Sequence, residues 1–164
     1  MSKETELVNN LEELNQKHET LLSLLERKLE AILEREIEKL AKINEEGSEL
    51  VGEIRGLHEE RRNLWVEIAG EEVTTVEDLL PVVGSELGNR LQSLAEQLRR
   101  NNRDIQIKTE RISEALRNRM RDIDNVFETV FEVLNGGEEE QTYDESGQKS
   151  DQENKQSMVF DEAV

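Results

Sequence analysis

The stretch LLSLLERKLEAILEREIEKLAKINEEGSELVGEIRGLHEERRNLW, residues 21–65, places an aliphatic side chain at nearly every third or fourth position and fills the gaps with charge. Leu21, Leu25, Leu29, Ile32, Ile37, Leu40, Ile43, Leu50, Ile54, Leu57 and Leu64 carry the pattern. Upstream it continues through Leu7, Leu11 and Leu14, with His18 filling one step, and downstream it reaches Ile68. Such spacing draws an apolar stripe along one face of an α-helix. The phase slips near Leu29–Leu33, as a coiled-coil stutter would make it. The spacing therefore predicts one helix from Glu4 to Ala69, about 100 Å long at ~1.5 Å per residue. Gly47, Gly52 and Gly56 would each cost roughly 0.5–1 kcal/mol relative to alanine, which leaves room for a bend or break near Gly47–Ser48.

Gly70 is a helix-stopping residue at the usual C-terminal place. Thr74-Thr75-Val76-Glu77 then has the form of a capping box that opens a short helix, ended by Pro81 and Gly84. A second long pattern starts at Ser85, a candidate N-cap, and runs through Leu87, Leu91, Leu94, Leu98, Ile105, Ile112, Leu116, Met120, Ile123, Phe127, Val130 and Leu134. It stops at Asn135-Gly136-Gly137. Two long amphipathic helices on a short connection must each bury a stripe, so they are expected antiparallel. The predicted fold class is all-α: an elongated antiparallel helical hairpin, two long helices plus a short connecting helix, with a disordered acidic C-terminal tail. The helical domain covers residues 4–135 and the tail 136–164.

With Ala69 and Ser85 flanking the turn, the register puts Asn101-Asn102 opposite Gly52, a polar waist at which a buried asparagine would pin the pairing. At the open end, Leu21-Leu22, Leu24-Leu25 and Leu29 would face Val126-Phe127 and Val130-Phe131. Adjacent apolar pairs make these stripes too wide for a two-helix seam. Residues from Glu4 to about His18 would overhang. The open end thus needs another helix, which is either that of a partner protein or the same surface of a second copy in a structural homodimer.

Composition limits the partners. Of 164 residues only 34% are hydrophobic and 3% aromatic, while 37% are charged, enough apolar material for helix seams but not for a thick globular core. A net charge of −18 repels phosphate backbones and anionic lipids, so neither nucleic acid nor a membrane surface is an expected partner. The chain has no cysteine, and its start, MSKETELVNN, lacks the apolar core of a signal peptide. With no membrane-length apolar run, no membrane insertion and a cytoplasmic setting are expected.

Nothing in the pattern points to catalysis. His18 and His58 have no metal-ligand neighbours at useful spacing, and the HEERR run after His58, distantly similar to a phospho-accepting helix, reads as solvated surface. Glutamates and aspartates are too numerous for an acid–base pair to stand out, and no glycine-rich phosphate loop occurs. No enzyme activity, cofactor or metal is expected. Trp65 is expected to pack near the turn.

Beyond Gly136 the residues are mostly Glu, Gln, Ser, Asp and Asn, with Tyr143 and Met158-Val159-Phe160 as apolar exceptions of the kind that serve as docking points. Three features in order resemble the FlgN-like family of flagellar type III export chaperones. Residues 21–65 look like that family's long first helix, NNRDIQIKTERI (101–112) resembles its later helix, and TYDESG (142–147) resembles the Tyr-x-x-x-Gly motif that follows its last helix. The resemblance implies a cytoplasmic chaperone that binds the C-terminal amphipathic helices of hook–filament junction proteins (FlgK- and FlgL-like clients), keeps them unassembled and delivers them to the export gate. It implies client binding by Leu116, Met120, Ile123, Val126, Phe127, Val130, Phe131 and Leu134, and docking of Tyr143 on the cytoplasmic domain of the gate. A weak homodimer is compatible with this reading. The chain continues past the motif's glycine and has a long N-terminal overhang, either of which could cover the client surface.

Overall fold

The computed structural model describes residues 2–71 and 75–135, and among these every regular element is helical. The chain divides into two compact units, Met1–Arg117 and Asn118–Val164, the second described over 118–135. Four helices follow one another: α1 (Lys3–Glu34), α2 (Ile37–Ala69), the short α3 (Val76–Leu79) and α4 (Ser85–Asn135).

The expected single helix over 4–69 is instead two helices that fold back on each other. The reversal falls at Arg35-Glu36, where the Glu36 amide donates to the Ala31 carbonyl at 2.9 Å and the Arg35 amide to that of Ile32 at 3.3 Å. This is the paired bonding of a Schellman turn, which requires a left-handed residue, and Arg35 adopts it at φ 62°. Glycine normally occupies that position because a Cβ strains it. An arginine there hides the turn from any search for glycine or proline, and the phase slip at Leu29–Leu33 was the trace of a reversal rather than of a stutter. Meanwhile α2 runs unbroken through Gly47, where an added Cβ would come within 3.2 Å of Leu24 Cδ2. Leu24 thus packs into the α1–α2 seam. Of the α1 leucines assigned to the open end, Leu21 and Leu24 belong to the apolar core instead, and Gly52 has open space around it.

The direction of packing can be read from side-chain pairs. As the α1 partner climbs from Lys3 to Lys17 to Arg27, its α2 partner descends from Glu67 to Glu53 to Glu46, so these helices are antiparallel. Against α4 the partners advance together, from Glu12 with Arg90 to Glu19 with Gln97 to Glu26 with Lys108, so α1 and α4 run parallel. These exposed pairs contribute little energy individually. The energy lies in the apolar core, where Leu7, Leu11, Leu14 and Leu91 are at most 2% exposed and join Ile43, Leu64, Leu79 and Leu98. Each such side chain contributes about 1.5–3 kcal/mol by leaving water. The N-terminal segment expected to overhang is therefore at the centre of the core, with Leu7, Leu11 and Leu14 among the most buried of the described residues. Reversal at Arg35 returns it to the turn end of the hairpin, between α2 and the start of α4.

Local signals hold the ends. Ser2 caps α1 by accepting from the Thr5 amide at 3.3 Å, with Glu4 and Glu6 in the positive first turn. Gly70 ends α2 at φ 84°. The cap of α3 is Thr75, one residue later than expected, and its hydroxyl accepts from the Asp78 amide at 3.2 Å. Leu80 ends α3 immediately before Pro81. Ser85 is the first helical residue of α4 rather than its cap, the Gly84 carbonyl accepting from the Gly88 amide. Trp65 is half-buried against the core near this turn, as expected.

Candidate functional site

The last part of α4 repeats the helical pattern of the first without its burial. Leu116 (40% exposed), Met120, Ile123, Phe127, Val130 and Leu134 follow steps of four and three, which place them on one face. Val126, Phe131 and Val133 widen that face, and Phe127 is 71% exposed. Leu116 lies in the first unit and the others in the second. Arg121, Glu128 and Glu132 fall on the opposite face, and an Arg119–Asp122 pair at 3.5 Å, one turn apart, flanks the apolar side. Thr129 donates its hydroxyl to the Asn125 carbonyl within the helix. A contiguous apolar face of this size left exposed is characteristic of an interaction site. All eight residues named from sequence for client binding lie on this exposed stretch. Leu21 and Leu24, expected beside them, belong to the core of the first unit. Tyr143 lies outside the described residues, as does Met158-Val159-Phe160.

A second polar constellation sits inside the first unit. Asn15 is 3% exposed and donates to the carbonyls of Leu11 and Leu94 at 3.0 and 3.1 Å, while its own Oδ1 accepts from Asn101 Nδ2 at 3.1 Å. The waist expected at Asn101-Asn102 therefore exists in part. Asn101 is buried, but its partner is Asn15 of α1 and not the neighbourhood of Gly52, while Asn102 is exposed. Asn10, also buried, donates to the Leu57 carbonyl and to Glu60 at 3.1 and 3.0 Å, tying α1 to α2. His18 Nδ1 lies 2.7 Å from the Leu14 carbonyl, and its ring meets that of His58 edge-on at 5.9 Å. Burial, then the charge of Arg61, then His18 hold the His58 pKa below its ordinary value. Sequence reading missed Asn10 and Asn15. Both occupy steps of the apolar stripe, and a polar residue in that phase was the available signal.

Among the described residues no cluster of three His, Asp or Glu side chains could hold a metal ion. No helix among them is long and apolar enough to cross a membrane.

The model of the FlgN protein family matches residues 1–151, nearly the whole chain. The chain belongs to the FlgN family. No curated protein and no solved structure matches it. Membership places this FlgN protein among the chaperones of flagellar type III export, a family not known for enzymatic activity. The match extends past α4 and includes the TYDESG segment.

Proposed function

We propose that this FlgN-family protein is a cytoplasmic chaperone that binds the C-terminal amphipathic helices of hook–filament junction proteins on the exposed α4 face, keeps them unassembled and hands them to the flagellar export gate. One observation carries the reading: nine large apolar residues from Leu116 to Leu134 lie at helical spacing and stay exposed. A client helix laid along Met120, Ile123, Phe127 and Val130 would remove them from water together with its own stripe. Each fully buried large side chain contributes about 1.5–3 kcal/mol, and ordering an unfolded client costs roughly 2–5 kcal/mol or more. Less the further cost of association itself, a few anchors then give binding reversible enough for hand-over. In this reading residues 4–135 form the chaperone domain, and the acidic tail 136–164 carries Tyr143 to the cytoplasmic domain of the gate. The tail's carboxylates would steer that encounter, and its rate would fall with added salt.

The test is a titration of the purified chain with junction-protein C-terminal peptides, followed by sizing of the complex. The proposal expects a one-to-one complex and client helix formation by circular dichroism. A dimer stable at nanomolar concentration and indifferent to these peptides would replace it with a structural homodimer. Tyr143→Ala should preserve client affinity and melting temperature while reducing gate binding; loss of client affinity with gate binding intact would move Tyr143 to the client surface.

A further inference from the structure

The first unit carries a groove between α2 and α4 that uses none of the exposed stripe. It is an open trough of about 1610 Å³, lined by the buried Leu11 and Leu98 and by Trp65, Val66 and Ala95. Its rim is the unusual part. Arginines outnumber glutamates four to three around this groove, whereas across the chain acidic residues outnumber basic ones 39 to 21. One of the glutamates, Glu67, is already engaged by Lys3 at 3.0 Å. Arg99, on α4, holds Glu77 loosely at 3.5 Å with both side chains exposed. Arg61, on α2, is half-buried and, among the described residues, makes no ion pair or hydrogen bond. A half-buried guanidinium with no carboxylate partner among the described residues offers its donor fork to an acceptor.

We propose that this groove docks an acidic peptide segment of a partner protein, one that carries a single large apolar side chain among its carboxylates. The apolar side chain lies against Trp65 and Ala95, over Leu98. The carboxylates lie along Arg61 and Arg62 on one wall and Arg99 on the other. The local excess of guanidinium over carboxylate around the groove, against the negative charge of the chain as a whole, selects this occupant. A second copy of the chain would bring net negative charge but also α-helical bulk, and a basic segment would meet arginines. Burial, which lowers the Arg61 pKa, adds to the gain on pairing it with a carboxylate.

Trp65 is the only tryptophan, so its fluorescence reports on the groove directly. The probe is a synthetic peptide of about ten residues, glutamates around one central phenylalanine, titrated into the full chain at low and high salt. A saturable Trp65 change is expected, weakened by salt and at least about tenfold by Arg61→Gln. If Arg61→Gln loses its helical circular dichroism, Arg99→Gln on the exposed opposite wall replaces it. Four results would each overturn the proposal: no saturable change, equal binding of a lysine-for-glutamate peptide, full affinity in the arginine variants, or a Trp65 signal that depends on protein concentration alone and so marks a second copy. Client binding on α4 uses other residues, so its success or failure is read separately.

Discussion

Leu91, Leu98 and Ile112 lie on the same helix as Met120, Phe127 and Leu134, and both sets follow steps of three and four. The first three are at most 6% exposed and the last three at least 65%. The repeating pattern is one, and its two halves meet different surroundings. Spacing states which face of a helix is apolar; it does not state whether this chain supplies the surface that covers it. In the first half α1 runs alongside and supplies Leu7, Leu11 and Leu14 to the same core. The exposed half keeps the same type of side chain for the partner that the proposed function assigns to it.

The largest effects should separate the two halves by stability. Leu91→Ala, in the core, should cost about 2–5 kcal/mol in chemical denaturation, and Met120→Ala should stay within about 0.5 kcal/mol. Equal losses would mean the stripe is core as well. Next comes the polar bond that holds α4 to α1. Asn101→Leu removes the donor to Asn15 Oδ1 and should destabilise by about 1–3 kcal/mol. An increase in stability would show that apolar packing compensates the orphaned oxygen. A smaller gain is expected from Arg35→Gly, about 0.5–1 kcal/mol, because glycine accepts the left-handed turn without strain. A loss would mean the arginine side chain contributes to the reversal.

The smallest effect is a pH dependence confined to the packed half. The His58 pKa is lowered in the fold, so the unfolded chain binds the proton more readily. That contribution to stability is present above the unfolded value near 6.5 and is lost as pH falls through the lower folded value. His58→Gln should flatten the slope just below pH ~6.5, measured by denaturant midpoints. An unchanged slope would place the titration elsewhere.

Much of this was legible from spacing alone. The all-helical class, Gly70, the short helix before Pro81 and the apolar face from Leu116 to Leu134 all rest on local chemistry. The reversal was not, because its left-handed residue is Arg35 and a search for turns weighs glycine and proline. That one miss propagated. With α1 and α2 read as a single rod, the N-terminal leucines had no partner and Asn101 was set against Gly52. Once the chain turns back, Leu7 to His18 become the centre of the core and Asn15 meets Asn101. The arginine-rimmed groove was hidden for another reason: Arg61 and Arg99 are far apart in sequence, and their shared surface exists only after α2 and α4 pack.

The central claim is that the end of α4 is a binding face rather than part of the fold. Phe127→Ala combined with Phe131→Ala tests it most directly, by measuring junction-protein peptide affinity and thermal melting on the same preparation. The account predicts at least about a tenfold loss of affinity, or roughly 1.4 kcal/mol, with helicity and melting temperature nearly unchanged. A double variant that melts early or loses helicity, or one that binds the peptide as well as the parent chain, would contradict it.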